Sequence, residues 1–307
     1  MNDIDLSVKI GDMEWKNPIT TASGTAGYGQ ELKDYFDPEI MGALTVKGLT
    51  VEPTDGNPTP RIAETTGGIL NSIGLENPGL KKFLKGEIEN LGEFELPVIV
   101  NISGYSVDEF EKLASGLASC EEISALEVNV SCPNIKGGGM AFGTDSELIY
   151  KITKKIKKIY PGTVIVKLSP NVTDIVEMAE AVQAGGADCV SLINTLRGMA
   201  IDIEERKPLL GNIFGGLSGP AIKPVALSMV YQVSKVIDIP ILGMGGIMNG
   251  EDVLEFIMAG ASAVAVGTAT LIDPEAVPEI LKEIENYMID NDIEKIKDLI
   301  GEAHVKN

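Results

Sequence analysis

The chain has one histidine, one tryptophan and three cysteines among its 307 residues, and only 25 basic side chains against 45 acidic ones. Each shortage excludes something. A net charge of −20 repels phosphate backbones, so nucleic acid is not expected as a partner. Cys120, Cys132 and Cys189 form no C-x-x-C pair, and a lone histidine completes no zinc or iron–sulfur site, so no metal is expected on this chain. A sparse, odd set of cysteines fits a reducing compartment. No apolar run approaches the roughly 18 residues of a membrane span. The amino-terminal MNDIDLSVKIGDMEW has no basic segment leading into an apolar core. A cytoplasmic protein without membrane contact is therefore expected. His304, close to the carboxyl end, is expected on a solvated tail. If the protein moves protons, the usual imidazole base is missing, and a cysteine is one of the few substitutes.

What is present is a regular alternation. Short apolar runs read as strands at 19–22, 43–46, 98–101, 126–130, 164–168, 189–193, 241–243 and 263–266. Between most of them lie amphipathic stretches such as VDEFEKLASGLASCEEI, ELIYKITKKIKKIY, DIVEMAEAVQAGG and GEDVLEFIMAGA. Their apolar residues recur at three- and four-residue spacing, as helices lying on a sheet require. Buried β-branched strands alternating with helices imply a parallel sheet. Eight such units predict a closed α/β (β/α)₈ TIM barrel, a single domain over 1–307. No G-x-G-x-x-G follows the first strand, which weighs against an open dinucleotide-binding sheet. Two connections, 48–96 and 196–220, are long and are predicted to lie as loops over the carboxyl face of the barrel.

Barrel enzymes place their chemistry at the carboxyl ends of the strands. Read in order, those ends present Ser23, Lys47-Gly48, Asn101, Asn129, Lys167, Asn194-Thr195, Gly245-Gly246 and Gly267-Thr268. Glycines after the last two strands suit a phosphate, because backbone N–H groups approach an anion closely only where no side chain intervenes. A phosphate-bearing cofactor is the expectation. Lysines and asparagines around it suit a polar, electron-rich ring such as a flavin, whose negative charge on reduction a lysine stabilises. Phosphate or carboxylate binding by Lys47 and Lys167 remains open at this point. The fourth strand runs into NVSCPN, residues 129–134, which sets Cys132 just past a strand end.

These residues carry a family resemblance. The chain resembles the class 1 dihydroorotate dehydrogenases, more closely their NAD-linked B branch. The likeness runs through NPITTASGTAGYG, TVKGLT, PTPRIAET, GGILNSIGLENPG, EVNVSCPNIKGGGMAFGTD, VIVKLSPNVTDI, SLINTLRGMAID, GGLSGPAIKPVAL, GMGGI and AVAVGTA. The resemblance implies an FMN-containing barrel that oxidises dihydroorotate to orotate in pyrimidine biosynthesis. It implies FMN contacts at Ser23, Lys47, Gly48, Asn101, Asn129, Lys167, Ile193, Gly219, Gly245, Gly246, Gly267 and Thr268. Substrate would be held by Lys47, Asn71, Ser72, Ile73, Gly74, Leu75, Asn129, Asn194 and Thr195, with Cys132 as the catalytic base. The glycine-rich stretch 136–143 reads as a lid over Cys132, its glycines permitting motion.

The electrons must then leave. The B-branch resemblance implies a partner subunit carrying FAD and a 2Fe-2S cluster that passes them to NAD⁺, with a homodimer of this chain inside a heterotetramer. Cys120 and Cys189 read as core residues. The nearest alternatives are a fumarate-reducing class 1A enzyme and a flavin-dependent pyrimidine reductase. More distant ones are a Schiff-base lyase using Lys167 and a barrel that only binds a phosphorylated ligand.

Overall fold

The computed structural model describes residues 4–131, 133–134 and 140–305. Its centre is an eight-stranded parallel sheet in which each predicted strand is present. In chain order the strands are Ile19–Thr21, Leu44–Leu49, Val98–Ile102, Ala125–Asn129, Thr163–Lys167, Cys189–Leu192, Ile241–Met244 and Ala263–Val266. Their side chains are almost wholly buried on both faces, which is why they read as continuous apolar runs. The first strand pairs with the eighth, and from the second to the eighth each strand pairs with the next in sequence.

The seam between the first and second strands closes through threonines. Thr21 Oγ1 donates to the Thr45 carbonyl at 2.8 Å and accepts from Thr45 N–H at 3.1 Å. The Thr20 and Thr45 hydroxyls meet at 3.0 Å. Gly42 N–H donates to the Ile19 carbonyl at 2.9 Å, which completes the ring. A hydroxyl here takes the place of a ladder carbonyl and amide, so the buried backbone groups stay satisfied.

Helices coat the barrel and begin where the sequence supplies caps. Ser106 caps α3 (Val107–Leu117), Asp145 caps α4 (Ser146–Ile159), Asp174 caps α5 (Ile175–Ala184) and Asn249 caps α7 (Gly250–Met258). The helix α6 (Lys223–Val233) is tied to α7 by Lys223, whose ammonium meets Asp252 at 2.6 Å and Glu255 at 2.8 Å. A hairpin of Val8–Ile10 and Met13–Trp15 lies at the amino ends of the strands, where Asp12 N–H reaches Thr163 Oγ1 and Trp15 is buried. Among the described residues no helix is long and apolar enough to cross a membrane.

Two expectations need correction. The segments 48–96 and 196–220 are not plain loops. They contribute strands to one four-stranded antiparallel sheet, ordered Leu196–Gly198, Gly215–Ser218, Gly68–Asn71 and Ile62–Thr65. Each of these strands is too short and too half-buried to show a clear period in sequence, and the central pairing, Leu217 with Leu70, joins distant parts of the chain. His304 is not on a solvated tail. Its Nε2 lies 3.0 Å from both Ser234 Oγ and the Ala259 carbonyl, and its ring meets Tyr231 edge-on.

Several buried protons share one sign. Burial pushes the Tyr28 and Tyr160 phenols and the Cys189 and Cys120 thiols up. The hydrogen bonds to Asp252 and Glu255 push Lys223 up. Each group binds its proton more tightly folded than unfolded, so its contribution is complete below the ordinary value and lost as pH rises past it. Those values are about 8.5 for thiols, 10 for phenols and 10.4 for lysine. The thermal unfolding midpoint is therefore expected to fall progressively from roughly pH 8.5 upward, the thiols first and the phenols and Lys223 above about pH 10. A midpoint that holds or rises over that range would contradict this packing.

Candidate active site

Hydrogen bonds that skip neighbouring strands can only cross the barrel interior, and several do so at its carboxyl end. Lys167, on the fifth strand, donates to Ser23 Oγ after the first strand at 3.1 Å. Glu127, on the fourth strand, accepts from Ser191 Oγ on the sixth at 2.8 Å and from Asn101 Nδ2 on the third at 2.6 Å. The Lys167 ammonium stands 3.7 Å from the same carboxylate, with Lys167 only 4% and Glu127 only 1% exposed. Burying a charge without a counter-charge is costly, and each ion here answers the other. Gly48 lies beside this group: a Cβ there would stand 2.9 Å from Asn101 Oδ1, so the amide can approach only a glycine. Lys47, next to it, donates its backbone N–H to Gly27. Among the described residues the Lys47 ammonium has no partner. Beside Ser23, a Cβ on Gly24 would find no atom within 4 Å, so this part of the wall opens onto free space.

A second group forms after strands six to eight. Gly245 and Gly246 adopt φ of +125° and +83°, which side chains rarely tolerate. A Cβ on Gly246 would meet the Gly219 carbonyl and Lys223 backbone nitrogen at 2.8 Å, and one on Gly245 would meet Ile193 at 3.3 Å. Thr268 Oγ1 donates to Ser218 Oγ at 2.9 Å, and Gly267 packs against Ala22. Ile193, Gly219, Gly245, Gly246, Gly267 and Thr268 thus stand together after strands six to eight, with backbone packed closely around the glycines.

A third group lies under the antiparallel sheet. Asn129 Oδ1 accepts from Asn194 Nδ2 at 3.3 Å, and Asn194 Oδ1 accepts from Thr195 N–H at 2.8 Å. Thr195 packs against Gly216, whose carbonyl accepts from Asn71 Nδ2. Residues Asn71, Ser72, Ile73, Gly74 and Leu75 continue from there, with Leu75 in the left-handed region at φ 57°. This run is held from outside. Asn57 donates to Ser72 Oγ at 2.9 Å and to the Ile73 carbonyl at 2.9 Å. Asn77 donates to the Leu75 carbonyl at 2.6 Å. Asn171 donates to the Thr195 carbonyl at 3.1 Å and accepts from Arg197 N–H at 2.9 Å.

Cys132 and residues 136–139 of the expected lid lie outside the described residues. What surrounds them is clear. Residues 133–134 pair antiparallel with 140–141. Directly after residue 141, Phe142 is buried edge-on against Phe110. On the near side Ser131 Oγ is buried without a partner among the described residues. Cys189 is fully buried in the sixth strand and Cys120 half-buried after α3, as expected of core residues.

The sequence reading missed Glu127, Ser191, Asn57, Asn77 and Asn171. Glu127 left a signal, a carboxylate in the middle of the apolar run ALEVN. The asparagines left little, because such residues also serve ordinary turns. Asn77 is 6% exposed and makes four bonds, including acceptance from the Thr50 and Gly79 backbone N–H groups. Asn77→Ala strands both amides and is expected to cost about 2–4 kcal/mol in urea unfolding. A loss below about 0.5 kcal/mol would show that water replaces the side chain at little cost.

The geometry meets an independent result in sequence comparison. Residues 5–288 match the family model described as dihydroorotate dehydrogenase. A protein of Desulforamulus reducens is 55% identical over 302 residues, 98% of this chain and 99% of that protein. Relatives from Alkaliphilus metalliredigens and Geobacter sulfurreducens are each 52% identical, over 98% and 99% of this chain and 99% and 100% of their own. All three bear the name dihydroorotate dehydrogenase B (NAD(+)), catalytic subunit. Family match and barrel agree, and the chain belongs to the dihydroorotate dehydrogenase family.

Proposed function

We propose that this chain is the catalytic subunit of a cytoplasmic, NAD-linked dihydroorotate dehydrogenase, which oxidises (S)-dihydroorotate to orotate in pyrimidine biosynthesis with FMN as its cofactor. The observation that carries the reading is the convergence of the Lys167 cluster, the glycine group and the asparagine group at one end of a barrel of this family. The residues present fit FMN. Glycine backbone after the last strands suits its phosphate, and the lysines Lys47, whose ammonium has no partner among the described residues, and Lys167 suit a ring that gains negative charge. Ser23, Lys47, Gly48, Asn101, Asn129, Lys167, Ile193, Gly219, Gly245, Gly246, Gly267 and Thr268 are the proposed FMN residues. When bound, the flavin supplies the two-electron acceptor that the protein's own side chains lack.

The chain's residues would supply the rest. Lys47, the run Asn71–Leu75, Asn129, Asn194 and Thr195 hold the substrate ring, whose carboxylate, carbonyls and N–H groups call for both donors and acceptors. Asparagine offers both. Forming the ring double bond removes a hydride from one carbon and a proton from its neighbour, and Cys132 is the proposed base for that proton. A thiolate is available to the extent that a polar or cationic neighbourhood lowers the thiol's pKa. The names of the relatives support a separate electron-transfer subunit. We read it as an FAD and 2Fe-2S protein joined to a homodimer of this chain. The relatives' names also favour NAD⁺ over fumarate as the final acceptor.

Cys132→Ala tests the base. The variant is expected to retain FMN while its flavin reduction by dihydroorotate, followed by rapid mixing near neutral pH, slows by about 10²-fold or more. A wild-type rate in Cys132→Ala would remove Cys132 from the mechanism.

A further inference from the structure

We infer that Glu127 is a positioning residue for the cofactor site: it holds the buried Lys167 ammonium in place, and its negative charge sets the reduction potential of the bound flavin. This rests on the FMN reading above. The argument begins with how the carboxylate is held. Its Oε1 accepts from Ser191 Oγ at 2.8 Å and its Oε2 from Asn101 Nδ2 at 2.6 Å. Both are short charge-assisted bonds, one from each side, and they leave the side chain little freedom to swing.

Lys167 stands beyond those bonds. At 3.7 Å its ammonium is within ion-pair range of Oε2 and outside hydrogen-bond range. The one hydrogen bond it makes among the described residues is to Ser23 Oγ. An ammonium has three donors, so Glu127 compensates the charge without consuming the donors. A closer pair would satisfy Lys167 and take it out of service. A missing pair would leave a cation that is 4% exposed with nothing to offset its desolvation. The tethers on Glu127 hold the arrangement between those limits. The same carboxylate fixes the Asn101 amide, whose other end faces Gly48. One side chain thus sets the position of two proposed cofactor residues.

A charge so close to the flavin's partner must register in the flavin's energetics. Glu127→Gln preserves shape, keeps an oxygen for Asn101 and places an amide against a Ser191 hydroxyl that can rotate to accept. It removes only the negative charge. With the lysine cation uncompensated, the reduced, more negative flavin is favoured. The FMN midpoint potential of the loaded variant is therefore expected to rise. The rise corresponds to a tenfold or larger change in the reduction equilibrium, about 30 mV for a two-electron couple.

The measurement is the midpoint potential of purified, FMN-loaded wild type and Glu127→Gln, equilibrated against a reference dye without substrate. A raised potential in the variant supports the assignment. A potential equal to or below that of the wild type overturns it. If Glu127→Gln does not fold, Glu127→Asp carries the test, since it keeps the charge but draws it back by one methylene. A smaller rise is expected there, and equality with the wild type overturns the assignment. A wild-type chain that takes up no FMN fails at an earlier step and overturns the cofactor reading together with this one.

Discussion

A lysine and a glutamate share the interior of this barrel with almost no access to water. Such a pair is rarely kept for stability alone, because apolar residues of the same volume hold a core as well or better. Breaking it is another matter, since the survivor is left as a bare buried charge. The arrangement around Lys167 and Glu127 therefore constrains much else. It requires Ser191 and Asn101 as donors, Ser23 as an acceptor across the barrel, and a glycine at position 48 where Asn101 must pass. Strands one, three, four, five and six are tied together by side chains that an ordinary barrel core would not contain.

The rest of the architecture arranges space around that cluster. Threonine hydroxyls close the seam next to the first strand, so Ser23 and Lys47 are carried on adjoining strands. On the other side, the antiparallel sheet joins the segments after strands two and six. This brings Asn71 to the strand against which Thr195 packs. The site's polar groups come from many strand ends, and none of them is positioned by its own strand alone. Asn57, Asn77 and Asn171 act as the scaffold between strands and sheet.

Much of this was legible in the sequence, for reasons that particular residues make plain. The eight strands stood out because runs such as VIVNI, TVIVK and AVAV are buried on both faces and leave no ambiguity of period. Strand ends and glycine pairs were legible because a barrel fixes where function goes once the strands are known. The covering sheet was not, because its strands are only three or four residues long and its central pairing joins distant parts of the chain. Glu127 was read only as part of a strand, since nothing local says which buried donors will meet a carboxylate. His304 was misplaced because proximity to a chain end suggests exposure, while Ser234, Ala259 and Tyr231 gather around it only in the fold. Cys132 keeps the role that its resemblance implies, as a proposal.

The central claim is that this barrel end holds a flavin beside a substrate it can oxidise. An anaerobic absorbance titration of the FMN-loaded chain with dihydroorotate tests it most directly. The account expects the visible flavin band to bleach on addition of substrate and to stay bleached with NAD⁺ alone, since the proposed electron-transfer subunit is absent from the sample. A chain that takes up no FMN, or a flavin band unchanged by dihydroorotate, would contradict it.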